Sequence, residues 1–402
     1  MKSLQVIFLI SSLTLTSVVF GQLEPYQFGK GFRYTNPTGD FSIKFGFRFQ
    51  SLFIADWNVR NDDFGYVEDL GANFLIRRSR LKFDGHAFTK KLKYKLELGL
   101  SNRDNGISDF DAQGGGANML LDACFDYKFH KNFSILVGQT KLPGNRERVI
   151  SSANMQFVDR SLLNSRFNLD RDMGIQLIYK ASIGKAKINQ KIAISQGEGR
   201  DVTVGNTGGG LEYTYRVDFL PLGDFASKGD YSGSDLVRES KPKVSIGATF
   251  DINDKAARSR GNLGSFFLGD DKNYKTLYTG FADLMFKYKG FSLMSEFALR
   301  GTDGGNPILY YTDGTKAGTY FTGSAFSIDA GYLCKSNYEF AVRYTKLRTS
   351  HSVVGNDENQ YVLGFSKYIS GHGLKVQTDF GYQQRVGADD RLMWRLQFDF
   401  HL

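Results

Sequence analysis

The sequence predicts an all-β fold, a transmembrane antiparallel β-barrel of about 16 strands. Three observations point there. Apolar and polar residues alternate with period two along most of the chain, connections alternate between short and long, and an aromatic-rich strand runs to the last residue. Composition agrees. Phe (35) and Tyr (21) far outnumber Trp (2), and Gly is abundant at 45 where Pro is scarce at 6, a mixture suited to many strands joined by glycine-rich loops. An apolar content of 41% and a mean hydropathy of −0.32 argue against a helical membrane protein.

Residues 1–21 read as an export signal peptide. Lys2 supplies the positive start, Leu4 to Leu15 the apolar stretch, and Val19 and Gly21 the small residues of a cleavage site before Gln22. No cysteine lies near that cut, so a lipid anchor is not expected. Nowhere else do about 18 apolar residues run together, so an exported chain of this kind crosses a bilayer only as a closed barrel. Residues 22–40, with Pro25, Gly29, Gly31 and Pro37, form an irregular lead-in to a barrel over 41–402.

The strands follow in order. Phe41, Ile43, Phe45, Phe47 and Phe49 alternate with Ser42, Lys44, Gly46, Arg48 and Gln50. The second strand covers 73–86. In the third, Leu92, Tyr94, Leu96, Leu98 and Leu100 alternate with Lys93, Lys95, Glu97, Gly99 and Ser101; the fourth spans 118–129. Strands at 132–140, 172–180, 185–195, 211–220, 243–252, 274–288, 291–301, 320–333, 338–349, 358–369 and 374–385 lead to the last. There Trp394, Leu396, Phe398, Phe400 and Leu402 point one way and Met393, Arg395, Gln397, Asp399 and His401 the other. Short turns fall at 87–91, 130–132, 181–184, 289–290, 334–337 and 370–373. Long connections fall at 58–72, 103–116, 141–171, 196–210, 253–273 and 302–319. A soluble β-protein has no reason to sort its loops this way, whereas a barrel has periplasmic turns and external loops. Segment 221–242 breaks the rhythm: it is long where a short turn is due.

With apolar faces toward lipid, the polar faces line a lumen. Lys44, Arg48, Arg78, Arg80, Lys82, Lys93 and Lys95 of the first three strands then turn inward, against Asp56, Asp84 and Glu97. Spaced by two, Arg78, Arg80 and Lys82 form a ladder along the pore direction. A basic row on a pore wall lowers the barrier for anions and raises it for cations. Asp122 and Asp126 on the next strand keep a mixed solvated face open as the alternative. The third external loop, 141–171, carries Lys141, Arg146, Arg148, Arg160, Arg166 and Arg171 against Glu147, Asp159 and Asp170. It also holds Ile150, Met155, Phe157, Val158, Leu162, Leu163 and Phe167, an unusual apolar load for an exposed loop. These residues predict a loop folded back on the inner wall as a constriction; packing outside the barrel or on another subunit is the alternative.

Formal net charge is +9, or +8 without Lys2, which fits an anion-favouring pore. The basic residues are spread over many strands, so nucleic-acid binding is not expected. No G-x-S-x-G or other nucleophile motif is present, and five scattered histidines give no metal or cofactor signal, so the chain does not read as an enzyme. Cys124 and Cys334 fall on strands that are not neighbours and read as two separate thiols.

Phe74 to Lys82 followed by Tyr94 to Leu98, the run Val137-Gly138-Gln139-Thr140-Lys141-Leu142-Pro143-Gly144, and Asp170 to Gln176 together resemble the phosphate-selective porin O and P family. Lys228 to Lys243 is similar too, which makes the long turn a family feature. The resemblance spans most of the mature chain. It implies a 16-stranded porin in the outer membrane of a Gram-negative-type bacterium, surrounded by lipid, usually a homotrimer, that passes small anions such as phosphate by diffusion. It also implies an arginine ladder and a lysine cluster along the path. A weakly selective general porin and a structural or adhesive barrel with a blocked lumen are the competing readings.

Overall fold

The carboxyl-terminal strand closes the molecule. In the computed structural model, Asp390–His401 pairs antiparallel with the first long strand, from Asp390 opposite Val59 to His401 opposite Arg48. The structure describes residues 22–60, 63–105, 118–202, 209–267 and 273–402. The signal peptide expected at 1–21, and parts of the loops at 58–72, 103–116, 196–210 and 253–273, lie outside the described residues.

Sixteen strands form the closed antiparallel barrel. They are β1 Ser42–Arg60, β2 Asp63–Ala87, β3 Thr89–Gly99, β4 Leu120–Tyr127, β5 Phe133–Lys141, β6 Arg171–Ile183, β7 Ala186–Ser195 and β8 Glu212–Leu220. The second half comprises β9 Lys243–Asn253, β10 Leu277–Tyr288, β11 Phe291–Thr302, β12 Gly323–Leu333, β13 Tyr338–Thr349, β14 Glu358–Ser370, β15 Leu374–Arg385 and β16 Asp390–His401. Each strand pairs with its neighbours in sequence, so the barrel is up-and-down throughout. Closure leaves no unpaired edge, which is what a spanning sheet requires.

The alternation read in the sequence sets the two faces. On β16, Leu396 and Phe398 are 41% and 42% exposed on the outside, while Gln397 and Asp399 are buried inside. Phe340 and Leu363 also stand exposed outside, at 61% and 63%, as lipid-facing side chains should. Cys124 and Cys334 are both free thiols.

The structure departs from the sequence reading in three places. Residues 58–72 were expected as a long loop, but β1 and β2 pair through much of this stretch, with Asn58 opposite Glu68 and Val59 opposite Val67. Bulges at Asp56/Asn58 and Val59/Arg60 break strict period two there, which hides the strands from a pattern search. The lead-in 22–40 is not wholly irregular, since Gln22–Leu23 pairs with Phe32–Thr35, which in turn pairs with the start of β1. The connection 302–319 contains a small hairpin, Ile308–Tyr310 with Lys316–Thr319.

The lumen is occupied. Between β5 and β6 the chain makes short helices at Arg146–Val149 and Leu162–Phe167 and a 3-10 turn at Ser152–Asn154. The Ser161 side chain caps the second helix by accepting from Asn164 N. From the turn side, segment 221–242 enters with a 3-10 stretch at Ala226–Tyr231. The two segments touch: Gly233 N donates to Asn154 O at 2.8 Å, and Asn154 Nδ2 donates to Tyr231 O at 3.2 Å. The long turn thus has a structural role. Lys287 of β10 holds it through Gly229, Ser232 and Ser234 carbonyls at 2.8, 2.8 and 2.7 Å.

Candidate functional site

The lumen wall has two unlike parts. Across β10 to β13 an inward row, Phe281, Ala298, Ala325 and Leu347, is apolar where a water-filled barrel is polar. Leu142, Leu163, Phe167 and Leu169 pack on it. Nearer the turns, Gly331, Ala341 and Gly364 lie side by side on β12, β13 and β14. A Cβ on Gly331 would collide with Gln156 Nε2, and one on Gly364 would stand 3.0 Å from Phe157, so these glycines admit the loop. Burying an apolar side chain such as Phe157 or Phe167 is worth about 1.5–3 kcal/mol.

Several charges on this covered wall are paired, and others, such as Lys287 and Glu296, are held by neutral hydrogen-bond partners. Arg146 reaches Asp283 at 2.9 Å and Asp218 at 2.8 Å, and Arg216 binds the same two carboxylates at 2.8 and 2.6 Å. Arg343 binds Glu147 at 2.9 Å and Asp329 at 2.7 Å and lies 4.3 Å from the centre of the Phe157 ring. Burial of unpaired ions would be prohibitive, so filling this side demands such neutralisation.

Opposite lies an open chamber of about 980 Å³, walled by β1 to β5, β16, the loop, and arginines from other loops. Among the described residues, sixteen basic side chains line it against six acidic ones. Lys44, Arg48, Arg78, Arg80, Lys82 and Lys95 are among them; Lys93 shares their face but lies nearer the turns, outside the lining. The loop residues divide. Lys141, Arg148, Arg160 and Arg171 line the chamber, Arg146 is tucked into the opposite wall, and Arg166 reaches Glu358 at 3.5 Å.

The cations of the chamber are unequally engaged. Arg48 holds Asp399 at 2.7 Å and the Ser152 hydroxyl at 2.7 Å. Arg80 bridges Glu97 at 3.1 Å and Asp104 at 2.5 Å, Lys82 meets Asp84 at 2.9 Å, and Lys95 meets Asp122 at 2.6 Å. Asp122 also takes Arg171, at 3.1 Å. By contrast, Lys141 donates to the Arg148 and Ile150 carbonyls at 2.7 and 3.3 Å, and Arg160 to those of Glu147 and Ile150 at 3.0 and 2.9 Å. Carbonyl partners orient these groups without cancelling their charge. Asp159 of the loop faces Arg77, Arg78 and Arg395. Burial raises its carboxyl pKa, but these arginines outweigh it and hold the group well below the usual carboxylate range.

Several lining residues escaped the sequence reading. Arg391 lies on the inward face of β16 with Arg395, which the alternation had placed on the polar face without assigning it to the path, and the same alternation could have found Arg391. Arg77 points inward beside Arg78 because of the bulge between Gln50 and Ser51; two adjacent arginines in a strand were its only trace. Arg103, Arg200 and Arg260 come from the connections between strands, where no periodicity marks them. Among the described residues no cluster of His, Cys, Asp or Glu could hold a metal ion.

Comparison with known proteins agrees with the barrel and its lining. The model of the family described as phosphate-selective porin O and P matches residues 46–400. An uncharacterized protein of Aquifex aeolicus is 23% identical over 372 residues, covering 82% of this chain and 81% of its own. Three solved structures share the fold. The anion-selective porin of Comamonas acidovorans has a TM-score of 0.52 at 11% identity, covering 90% of this chain and 100% of its own. The outer membrane channel DcaP of Acinetobacter baumannii has 0.53 at 12%, covering 91% and 99%. The trimer form of the Vibrio cholerae outer membrane protein OmpT has 0.51 at 10%, covering 89% and 99%. The chain belongs to the phosphate-selective porin O and P family and is a porin of the outer membrane.

Proposed function

We propose that the barrel passes small anions by passive diffusion, with phosphate among them, and that the luminal loop sets the constriction. The observation that carries this reading is the excess, among the described residues, of sixteen basic over six acidic side chains around the chamber. Several moderate contacts suit transport, because a permeating ion must leave as readily as it enters. Guanidinium groups offer phosphate paired N–H donors, so Arg78, Arg160 and Arg171 are the residues assigned to the path, with Lys44, Lys82 and Lys141 as point charges. Anion selectivity in the Comamonas porin and the trimer form of OmpT support the charge preference and a homotrimeric assembly. Transport of this kind involves no chemical step and no cofactor. A signal peptide over 1–21 would deliver the chain to the outer membrane.

The test is swelling of proteoliposomes in solutions of phosphate, a neutral sugar and a cationic amino acid of similar size. Phosphate is expected to enter fastest; fastest entry of the cation would overturn the reading. A second reading, a weakly selective general porin, is favoured by the carboxylates already engaging Arg80, Lys82 and Lys95. Under that reading, neutralising Arg78, Arg80 and Lys82 leaves selectivity unchanged.

A further inference from the structure

Asp159 stands where an anion would be expected. Its Oδ1 accepts from Arg77 Nη2 at 2.5 Å and lies 4.0 Å from Arg78 Nη2; its Oδ2 lies 3.6 Å from Arg395 Nη1. Two of the three arginines are held by other side chains, and the third, Arg77, is placed by the backbone. The β1–β2 bulge turns Arg77 and Arg78 inward together, Gln50 takes Arg78 Nη1 at 2.5 Å, and Asp379 takes Arg395 Nε and Nη2 at 2.6 and 2.9 Å. The Arg78 and Arg395 donors near Asp159 are therefore preorganised. Arg77 Nε is buried with no hydrogen-bond partner among the described residues, so the cluster retains donor capacity beyond this one carboxylate.

Meanwhile the main chain beside Asp159 is pinned independently of its side chain. Val158 N donates to Asp379 Oδ2 at 3.1 Å, and Asp159 O accepts from Arg343 Nη1 at 2.8 Å. The side chain itself is 23% exposed toward the chamber. A rotation of that side chain would vacate the arginines without moving the loop.

We infer that Arg77, Arg78 and Arg395 form an oxyanion-binding site which Asp159 occupies as a built-in competitor, so that a permeating carboxylate or phosphate exchanges with it. This rests on the anion-channel reading and adds its central binding step. The resident carboxylate keeps the site from trapping an ion: each passing anion must displace a tethered one, which weakens net binding and speeds release.

The experiment measures block of chloride current by acetate and, separately, by inorganic phosphate, in planar bilayers. In Asp159→Asn the half-blocking concentration of at least one of these should fall by about tenfold or more, the scale of one charge-assisted hydrogen bond. Asp84→Asn removes the same charge from the chamber at Lys82 and should shift ion selectivity without that gain in block. Adding Arg77→Gln to Asp159→Asn should restore weak block, which guards against a misfolded single variant. Equal block in Asp159→Asn and the unaltered barrel, or an equal gain in Asp84→Asn, would overturn the site. Cation selectivity of the unaltered barrel would instead overturn the anion-channel reading beneath it.

Discussion

On β1, β2 and β16 the inward cations line open space and some reach into it: Lys82 and Arg391 keep 43% and 38% of their side chains exposed, while Arg48, Arg78 and Arg395 lie lower in the wall. On β8, β10 and β15 they do not, for Arg216, Lys287 and Lys375 are at most 1% exposed. Both regions obey the same alternation of apolar-out and polar-in. What separates them is the filler. The luminal loop and the 221–242 segment lie on the second region, and every charge beneath them needs a partner. Alternation therefore assigns a side chain to the lumen, but the packing of the loops decides whether its charge is available to a solute.

The covered wall should be the more sensitive in stability. Arg343→Leu leaves Glu147 and Asp329 buried without their cation, and loss of one partner of such a pair costs about 3–5 kcal/mol. Denaturant unfolding in detergent would measure it, and a loss below about 1 kcal/mol would mean that these charges are solvated. Next in size is Gly331→Val. Its side chain collides with the Gln156 amide, which must leave Ser292 and Glu339 at a cost of about 1–3 kcal/mol, and any displacement of the loop is away from this wall into the chamber, so single-channel conductance should fall. Unchanged conductance would show that this part of the loop does not limit the path.

The open wall should respond in selectivity, and at its exposed pairs with little change in stability. Replacing Arg78, Arg80 and Lys82 by Gln should move the zero-current potential toward that of a non-selective pore. For the Lys82–Asp84 pair, which is partly exposed, the stability change should stay below about 1 kcal/mol. A smaller effect concerns pH. The Asp159 carboxyl is depressed in the folded state, so its ion-pairing contribution is complete above the unfolded carboxylate value of about 4 and is lost only as pH falls below that, toward the folded value. The difference in selectivity between the unaltered barrel and Asp159→Asn should thus stay constant on acidification to about pH 4. Loss of that difference with a midpoint above that value would show that the arginines do not hold this group.

Sequence reading was strongest where period two is unbroken. The barrel, its strand count and both faces of β16 were legible because lipid outside and water inside impose opposite demands on alternate residues. It failed where bulges shift the phase, at residues 56–60 and at Arg77. The candidate site was half legible. Lys44, Arg48, Arg78, Arg80, Lys82 and Lys95 were placed by alternation, whereas Lys93 lies outside the chamber lining and Arg103, Arg200 and Arg260 carry no periodic signal. The seat of the loop did leave a trace. Ala298, Ala325, Gly331 and Gly364 are small residues at inward positions where long polar side chains would otherwise stand.

The central claim is that the uncovered basic wall selects the charge of what passes. The zero-current potential of the unaltered protein in a planar bilayer under a KCl gradient measures this directly. The chamber predicts a potential on the chloride side; a potential on the potassium side would contradict the account.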